Sequence, residues 1–273
     1  MTYCYMQIQQ FSVRNITLRV NGISVVDVLG SYWHPHQHMS WNDVIGETHV
    51  NSGIHGDVYV VDLFDHRGII PELLSKGKKV VCYFSAGTYE DWRPDKGQFP
   101  PDALGNEDPI WRGERWVDIR DTRIRDVMRK RIQMAQQQGC HGVDPDNVDG
   151  YTQSDLGFHL TYDNQIDYNR FLAREAHNHG LAIGLKNDLL QIKDLLHDFD
   201  FAINESCEKF HYNGQSNCLL YQPFFDARKP VFHIEYVRSS SEAHTQRSAI
   251  CSNRPSDMNT IIKVALTNFK VGC

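Results

Sequence analysis

The chain has 273 residues, a formal net charge of −6 at pH 7 and 41% hydrophobic residues. This length suits one domain with a buried core, and the acidic balance without a basic block disfavours binding to nucleic-acid phosphates. No apolar stretch is long enough to span a bilayer. We therefore expect neither a nucleic-acid nor a membrane partner, whereas a cationic ligand would be attracted to an acidic cleft.

The amino-terminal part is the least regular in pattern. Residues 1–32 are interpreted as an extension of uncertain structure, with a possible strand over Ile23–Leu29. Met1–Gln10 lacks the basic start and apolar core of a secretory signal. The unusual run His34-Pro35-His36-Gln37-His38 opens the segment 33–273, which we interpret as one domain.

From residue 56 onward, short apolar runs repeatedly end in polar residues. The predicted strands are Gly56–Phe64, Lys79–Phe84, Arg115–Val117, Cys140–Val143, Leu181–Leu185, Phe199–Ile203, Pro230–Ile234 and Thr260–Leu266. Between them, Ile124–Gln138 and Asp167–His177 show helical periodicity. Eight strands with crossovers of suitable length predict an α/β fold, a single-domain (β/α)8 TIM barrel. The long connection Thr88–Arg115 is typical of a loop that closes over substrate.

The stretch His141–Tyr151 is the most informative, because it places three carboxylates and an amide at the end of a predicted strand. These residues are Asp144, Asp146, Asn147 and Asp149. Pro145 removes a backbone donor, so the strand must stop pairing near it. In sheets that alternate with helices, the carboxyl ends of the strands are where ligands bind. The alternative interpretation is a solvated acidic turn.

The seven cysteines indicate an oxidising compartment. Two pairs bracket short segments and suit two disulfides: Cys207 with Cys218, and Cys251 with Cys273. Cys82 and Cys140 fall in or beside strands and are interpreted as buried small hydrophobic residues, which leaves Cys4 unexplained. The sequon Asn15-Ile16-Thr17 agrees with secretion, so we favour an extracellular location.

Several separated motifs stand at or near the predicted strand ends. They are Asp62-Leu63-Phe64-Asp65, the segment Cys82–Glu90 followed by Trp92-Arg93-Pro94-Asp95, Gly113–Ile119, Pro145–Tyr151, Gly184-Leu185-Lys186-Asn187, Asn204-Glu205-Ser206-Cys207 and Glu235-Tyr236. In this order they resemble glycoside hydrolase family 114. The resemblance covers about residues 33–273 and implies an endo-acting α-1,4-polygalactosaminidase on a (β/α)8 barrel. It also implies a cationic amino-sugar polysaccharide, free or N-acetylated, as substrate. The chain departs from the family pattern in Glu208–Gln215 and in Tyr59-Val60-Val61.

Glycosidic cleavage needs one carboxylate at the anomeric carbon and one carboxylic acid that protonates the leaving oxygen. We predict Asp146 as the nucleophile and Glu205 as the general acid/base, because their strands are two apart around the barrel. The resemblance implies the same assignment. Alternation along the strand would point Asp144 to the same face as Asp146, so Asp144 is the alternative nucleophile. We expect retention of configuration, and neither a metal nor a cofactor.

Other residues are predicted to support this pair or to bind substrate. Lys186 would keep Asp146 ionised, with a structural ion pair as the alternative. The predicted substrate-binding residues are Asp62, Tyr83, Trp116, Asp118, Asp144, Asn147, Asp149, Tyr151, Lys186, Asn187 and Glu235. The acids would bind hydroxyl or amino groups, and the aromatic rings, Tyr151 and Trp116 above all, would stack on sugar. Each acid can equally be a satisfied polar residue at the barrel rim.

Two alternatives from other classes stay open. A non-catalytic carbohydrate-binding barrel would keep the cleft and bind sugar without releasing reducing ends. The alternating His34, His36 and His38 resemble the His-x-His pair of metal-dependent amidohydrolase-type barrels. That site needs further ligands after later strands, which this chain does not offer, so a polar entry loop is the favoured interpretation of the run.

Overall fold

A computed structural model describes residues 18–20, 23–25, 32–46, 56–65, 67–265, 267 and 269–273. The chain divides into two compact units, residues 1–31 and 32–273. In the first unit, β1 (Leu18–Val20) and β2 (Ile23–Val25) pair as an antiparallel hairpin. The remainder of the strand expected over Ile23–Leu29 lies outside the described residues, as do Met1–Gln10 and the sequon.

The second unit alternates strands with helices along the chain. Its strands are β3 (Trp41–Asp43), β4 (Val58–Asp62), β5 (Lys79–Ser85), β6 (Thr88–Glu90), β7 (Leu104–Glu107), β8 (Glu114–Val117), β9 (Gly142–Asp146), β10 (Ala182–Lys186), β11 (Phe201–Glu205), β12 (His211–Tyr212), β13 (Gln215–Ser216), β14 (Val231–Val237), β15 (Met258–Val264) and β16 (Lys270–Gly272). Its α-helices are α1 (Ile69–Ser75), α2 (Thr122–Gln137), α3 (Tyr162–Asn178), α4 (Ile192–Leu195), α5 (Gln222–Asp226) and α6 (Ser240–Asn253). Among the described residues, no helix is both long enough and apolar enough to cross a bilayer.

Nine strands form one curled sheet in the order β3-β4-β5-β9-β10-β11-β14-β15-β16. The first eight are parallel to their neighbours, and β16 is antiparallel to β15. Side chains join β3 to β15: the Trp41 indole N–H donates to the carbonyl of Asn259 at 2.7 Å, and Lys263 Nζ donates to the carbonyl of Asp43 at 2.7 Å. The predicted α/β fold, a (β/α)8 barrel, is confirmed.

Alternation along the strands divides the apolar residues between two layers. In β4, Val58 and Val60 belong to a cluster built from barrel strands alone, whereas Tyr59 and Val61 join the larger cluster that includes the helices. Because successive side chains of a strand point to opposite faces, the first cluster fills the barrel interior. The position that follows Val60 in this phase, Asp62, therefore faces inward at the carboxyl end of the strand.

The two longest predicted helices form as α2 and α3, since both carry local start signals as well as an apolar stripe. The Asp121 side chain accepts a hydrogen bond from the backbone N–H of Arg123 at the start of α2. Thr161 and Asn164 form a reciprocal capping box at the start of α3.

One predicted barrel strand is wrong. Arg115–Val117 belongs to β8, which pairs with β6 and β7 in a separate three-stranded antiparallel sheet. This sheet occupies the long connection after β5, and the eighth parallel strand is instead β3, whose three residues Trp41–Asp43 carry two polar side chains. An apolar run of three residues does not specify its pairing partner, so the pattern alone could not separate the two sheets.

The two expected disulfides, Cys207–Cys218 and Cys251–Cys273, are present. The interpretation of Cys82 and Cys140 as separate buried thiols is wrong, because they form a third disulfide across 58 residues of sequence. Cys82 lies on β5 and Cys140 directly precedes β9, and these strands are neighbours in the sheet. The pairing depends on strand order, which cysteine spacing does not reveal.

Candidate active site

One side chain from each of the eight parallel strands lines a single cleft of about 540 Å³. They are Asp43, Asp62, Tyr83, Asp146, Lys186, Glu205, Tyr236 and Lys263. Each follows the inward phase of its strand, as Glu205 follows the interior residues Phe201 and Ile203. The strands therefore deliver alternate apolar residues to the core and one polar residue each to the carboxyl end of the barrel.

Lys186 lies at the centre of the cleft and is only 4% exposed. Its Nζ is 3.5 Å from Asp144 Oδ2, 3.7 Å from Asp146 Oδ1 and 3.7 Å from Glu205 Oε2. Burial alone would lower the pKa of Lys186, but these three carboxylates raise it well above its usual value. The ammonium group is therefore a fixed positive charge shared by three acids.

The carboxylate of Asp146 receives hydrogen bonds on both oxygens. The Tyr83 hydroxyl donates to Oδ2 at 3.0 Å, and the backbone N–H of Asn147 donates to Oδ1 at 2.8 Å. Asn147 adopts a left-handed φ of 60°, which its side chain stabilises by donating to Ser85 Oγ at 2.9 Å. Gly87 permits this turn, since a Cβ there would lie 1.7 Å from the carbonyl oxygen of Asn147.

Glu205 is held from both its side chain and its backbone. The Tyr236 hydroxyl donates to Oε1 at 2.8 Å, while the backbone N–H of Glu205 donates to Asn187 Oδ1 at 3.0 Å. The same Asn187 oxygen accepts from Asn204 Nδ2 at 3.2 Å. Asn187 therefore positions Glu205 from behind and does not line the cleft.

Asp144 is 1% exposed and lies on the same strand face as Asp146, beneath it. Burial raises the pKa of Asp144 to about 7 although Lys186 opposes the shift, and the charges of Asp146 and Glu205 add to it. Its Oδ1 atom is buried without a hydrogen-bond partner. The position of Asp144 suits holding Lys186 rather than touching a substrate.

Three further predicted residues line the cleft or approach its acids. Both oxygens of Asp62 accept from Arg93 Nη1, at 2.7 and 2.8 Å. Asn147 lines the cleft through the turn described above. Asp149 follows in the same loop, where burial and the charge of Asp146 raise its pKa to about 6.

Four predicted substrate-binding residues point elsewhere. Trp116 is buried in the core, and Asp118 forms a partly exposed ion pair with Arg120 at 2.7 Å. Tyr151 packs edge-on against Tyr162 with ring centres 5.5 Å apart. Glu235 has the outward phase of β14, so its Oε1 accepts from the backbone N–H of Glu208 at 2.9 Å.

Several residues that line the cleft lie outside the predicted set of catalytic and substrate-binding residues. They are Asp43, Glu90, Trp92, Arg93, Trp111, Glu114, Tyr236 and Lys263. Strict alternation through β14 would have selected Tyr236 in place of Glu235. Trp92 and Trp111 lie in the long connection after β5 and are 51% and 52% exposed.

The histidine run does not assemble a metal site. His34, His36 and His38 precede β3 and lie at its amino end, opposite the cleft. Within the part of the chain that the structure describes, one group of three side chains has metal-ligand spacing, and it consists of His233 with the Cys207–Cys218 disulfide. Bridged sulfurs are not thiolate ligands, so this group does not suit Zn²⁺.

A sequence model of glycoside-hydrolase family GH114 matches residues 24–270. The chain belongs to this family. Aspergillus fumigatus Ega3, known from a crystal structure in complex with galactosamine, is 38% identical in sequence to this chain. The two structures match with a TM-score of 0.80 over 88% of this chain and 97% of that chain. The glycoside hydrolase domain of PelA from Pseudomonas aeruginosa shares the fold at 13% identity, with a TM-score of 0.63 over 86% and 97% of the two chains. Comparison with curated proteins gave no match.

The GH114 assignment confirms that this protein is a glycosidase. The barrel fold and a cleft that holds two carboxylates around one ammonium group are both consistent with this activity.

Proposed function

We propose that this GH114 enzyme cleaves internal α-1,4 linkages in a polymer of galactosamine and N-acetylgalactosamine. Asp146 acts as the nucleophile and Glu205 as the general acid/base. The observation that carries this proposal is that both carboxylates lie 3.7 Å from the same Lys186 Nζ in the cleft. The complex of Ega3 with galactosamine supports an amino sugar as the ligand.

The roles follow from the surroundings of the two acids. Asp146 receives the Tyr83 hydroxyl and the Asn147 N–H and lies beside Lys186, which suits an ionised nucleophile. Glu205 has one hydroxyl donor, from Tyr236, and its side chain is 31% exposed against 19% for Asp146. The more accessible acid is the better placed to reach a leaving oxygen and then a water molecule.

The reaction proceeds in two steps. Asp146 attacks the anomeric carbon while Glu205 protonates the leaving oxygen, which gives a glycosyl-enzyme and a new reducing end. Glu205 then removes a proton from water, which displaces Asp146 and restores both acids. Because the nearest oxygens share one ammonium group at 3.7 Å each, they are separated by no more than twice that distance. This limit is compatible with the short carboxylate spacing of retaining enzymes, and retention is part of the proposal.

The charge of the cleft agrees with a cationic substrate, since six carboxylates and three basic side chains line it. Three disulfides suit an oxidising environment, which supports an extracellular location. The proposal assigns hydrolysis to residues 33–273 and treats residues 1–32 as an extension.

The test measures reducing-end release from a partly N-acetylated α-1,4-galactosamine polymer, with a chelator present. Native enzyme is compared with Asp146→Asn, Glu205→Gln and Asp144→Asn, each checked for native thermal stability. Losses of at least about a thousandfold are expected for the first two variants, because each removes a reacting group. NMR of the first product would report whether its anomeric configuration is retained.

Two results would reject the assignment. Activity that survives in Asp146→Asn and disappears in Asp144→Asn would move the nucleophile to Asp144. Folded native enzyme that binds the polymer without releasing reducing ends would favour a carbohydrate-binding barrel.

A further inference from the structure

Two buried carboxylates face each other in the three-stranded sheet beside the cleft. Glu90 on β6 and Glu114 on β8 are direct partners in the antiparallel register, and they are 2% and 8% exposed. Like charges directly opposite each other in a sheet are destabilising. A nearby positive charge would compensate the repulsion between the two carboxylates.

Among the residues that the structure describes, positive charge reaches only one of the two acids. Arg93 Nε lies 2.8 Å from Glu90 Oε2, and Arg131 Nη1 lies 3.8 Å from the same oxygen. Glu114 Oε2 accepts a hydrogen bond from the Thr88 hydroxyl at 2.8 Å. Within the described residues, no lysine, arginine or histidine forms an ion pair with Glu114. Burial raises the pKa of Glu114 to about 7, and the charges of Glu90 and Asp146 add to the shift.

The other carboxylates of the cleft are already paired. Asp43 pairs with Lys263, Asp62 with Arg93, and both Asp146 and Glu205 with Lys186. Glu114 differs from all of these because, among the described residues, the Thr88 hydroxyl is the only side chain that stabilises its charge. A cationic ligand in the cleft would therefore satisfy Glu114 in preference to its neighbours.

Aromatic side chains lie at the same end of the cleft. Trp92 and Trp111 both line it and are about half exposed, and the backbone N–H of Glu114 donates to the carbonyl of Trp111 at 3.0 Å. An indole ring can pack against the C–H face of a sugar and also attracts an ammonium group. The combination of an uncompensated acid and two exposed rings suits a sugar that carries a positive charge.

We propose that Glu114 is a specificity-determining residue that binds the free ammonium group of an amino-sugar unit and disfavours its N-acetylated form. This inference rests on the proposed function and adds the residue that recognises the free amino group of the sugar. Acetylation replaces the ammonium group by a neutral amide, so the cleft would bury Glu114 without a cation. A buried charge left unpaired by the wrong ligand is an effective means of discrimination.

The test compares native enzyme with Glu114→Gln on two α-1,4-galactosamine polymers of matched length, one fully de-N-acetylated and one N-acetylated. Glutamine keeps the shape of the side chain and can still accept from Thr88. Glu72→Gln is the control, because it removes the same charge from an exposed pair with Lys76 on α1. On the de-N-acetylated polymer, kcat/KM of Glu114→Gln should fall about tenfold to a hundredfold, the effect of one lost charge-assisted hydrogen bond.

On the N-acetylated polymer, kcat/KM of Glu114→Gln should stay unchanged or rise. The thermal midpoint of the variant should not fall below that of native enzyme, because the substitution removes the repulsion with Glu90. An equal loss on both polymers, or no loss on the de-N-acetylated one, would overturn the inference.

If native enzyme cleaves neither polymer, the proposed function fails and calorimetric binding of the same two polymers decides the inference separately. Selective loss of binding to the de-N-acetylated polymer in Glu114→Gln would support the role of this residue. Equal affinity of native enzyme for both polymers would reject it.

Discussion

Replacing Lys186 by methionine removes the one positive charge that three carboxylates share. At 3.5–3.7 Å and an effective dielectric constant of 20, each contact corresponds to roughly 4–5 kcal/mol of Coulomb energy before the cost of burial is subtracted. Removing one partner of a buried ion pair costs about 3–5 kcal/mol net, since the remaining charge stays buried. We expect Lys186→Met to lose about this much free energy of unfolding at pH 7.

The loss should depend on pH in a defined direction. Without the ammonium group, the pKa of Asp144 in the folded state rises further above its value of about 7, and its unfolded value stays near 4. A folded-state pKa that is raised stabilises the fold at low pH and loses this contribution as pH rises through it. The deficit of Lys186→Met should therefore be largest above pH 7 and fade towards pH 4.

The activity of Lys186→Met should fall by more than its loss of stability accounts for. With Lys186 gone, the repulsion between the Asp146 and Glu205 carboxylates is no longer compensated, so the proposed nucleophile loses the cation that holds it in place. We expect kcat to fall about a hundredfold to a thousandfold at a temperature where the variant is folded. Lys263→Met provides the comparison, because it also removes a buried cleft lysine, paired with Asp43 at 3.1 Å.

The assays are urea unfolding followed by tryptophan fluorescence at pH 5 and 8, and initial rates of reducing-end release. A Lys186→Met enzyme with native stability at pH 8 would refute the ion-pair reasoning. Equal losses of kcat in Lys186→Met and Lys263→Met would refute a specific role of Lys186 in the cleft.

Two further predictions concern stability away from the reacting groups. The disulfide Cys82–Cys140 closes 58 residues, so Cys82→Ala/Cys140→Ala should lower the free energy of unfolding by about 4 kcal/mol in urea titrations. A loss near zero would contradict the loop-entropy estimate. Burial raises the pKa of Asp188 to about 8, with Asp149 adding to the shift, so native enzyme loses stability as pH rises from about 4 through 8. Asp188→Asn should reduce the slope of the free energy of unfolding against pH by at most ~1.4 kcal/mol per pH unit, measured by urea titrations across this range. An unchanged slope would show that Asp188 does not titrate there.

Much of the fold could be predicted because local sequence patterns determine most of its strands and helices. Seven of the eight parallel strands and the helices α2 and α3 were visible as apolar runs and helical periodicity. The errors concern strands whose pairing partners are determined by residues distant in the sequence. Arg115–Val117 looks like a barrel strand but pairs with Thr88–Glu90, whereas Trp41–Asp43 is short and polar yet completes the barrel.

The candidate site shows the same division. Asp146, Lys186 and Glu205 could be selected because each ends a recognisable strand. Glu235 and Tyr236 stand side by side in sequence, and only the phase of β14 decides that the tyrosine faces Glu205. Trp116 was predicted to stack on sugar, but the structure buries it and instead exposes Trp111 in the cleft.

By itself, the sequence determined the class of fold and the family and led to the two proposed catalytic acids. These depend on short-range order: which residues alternate, where a strand ends and which motifs follow one another. Only the tertiary structure decided which cysteines pair, which three carboxylates share Lys186 and which one, Glu114, has no cation beside it among the described residues. Those facts depend on distances between strands far apart in the chain, and electrostatic interactions are set by such distances and by burial.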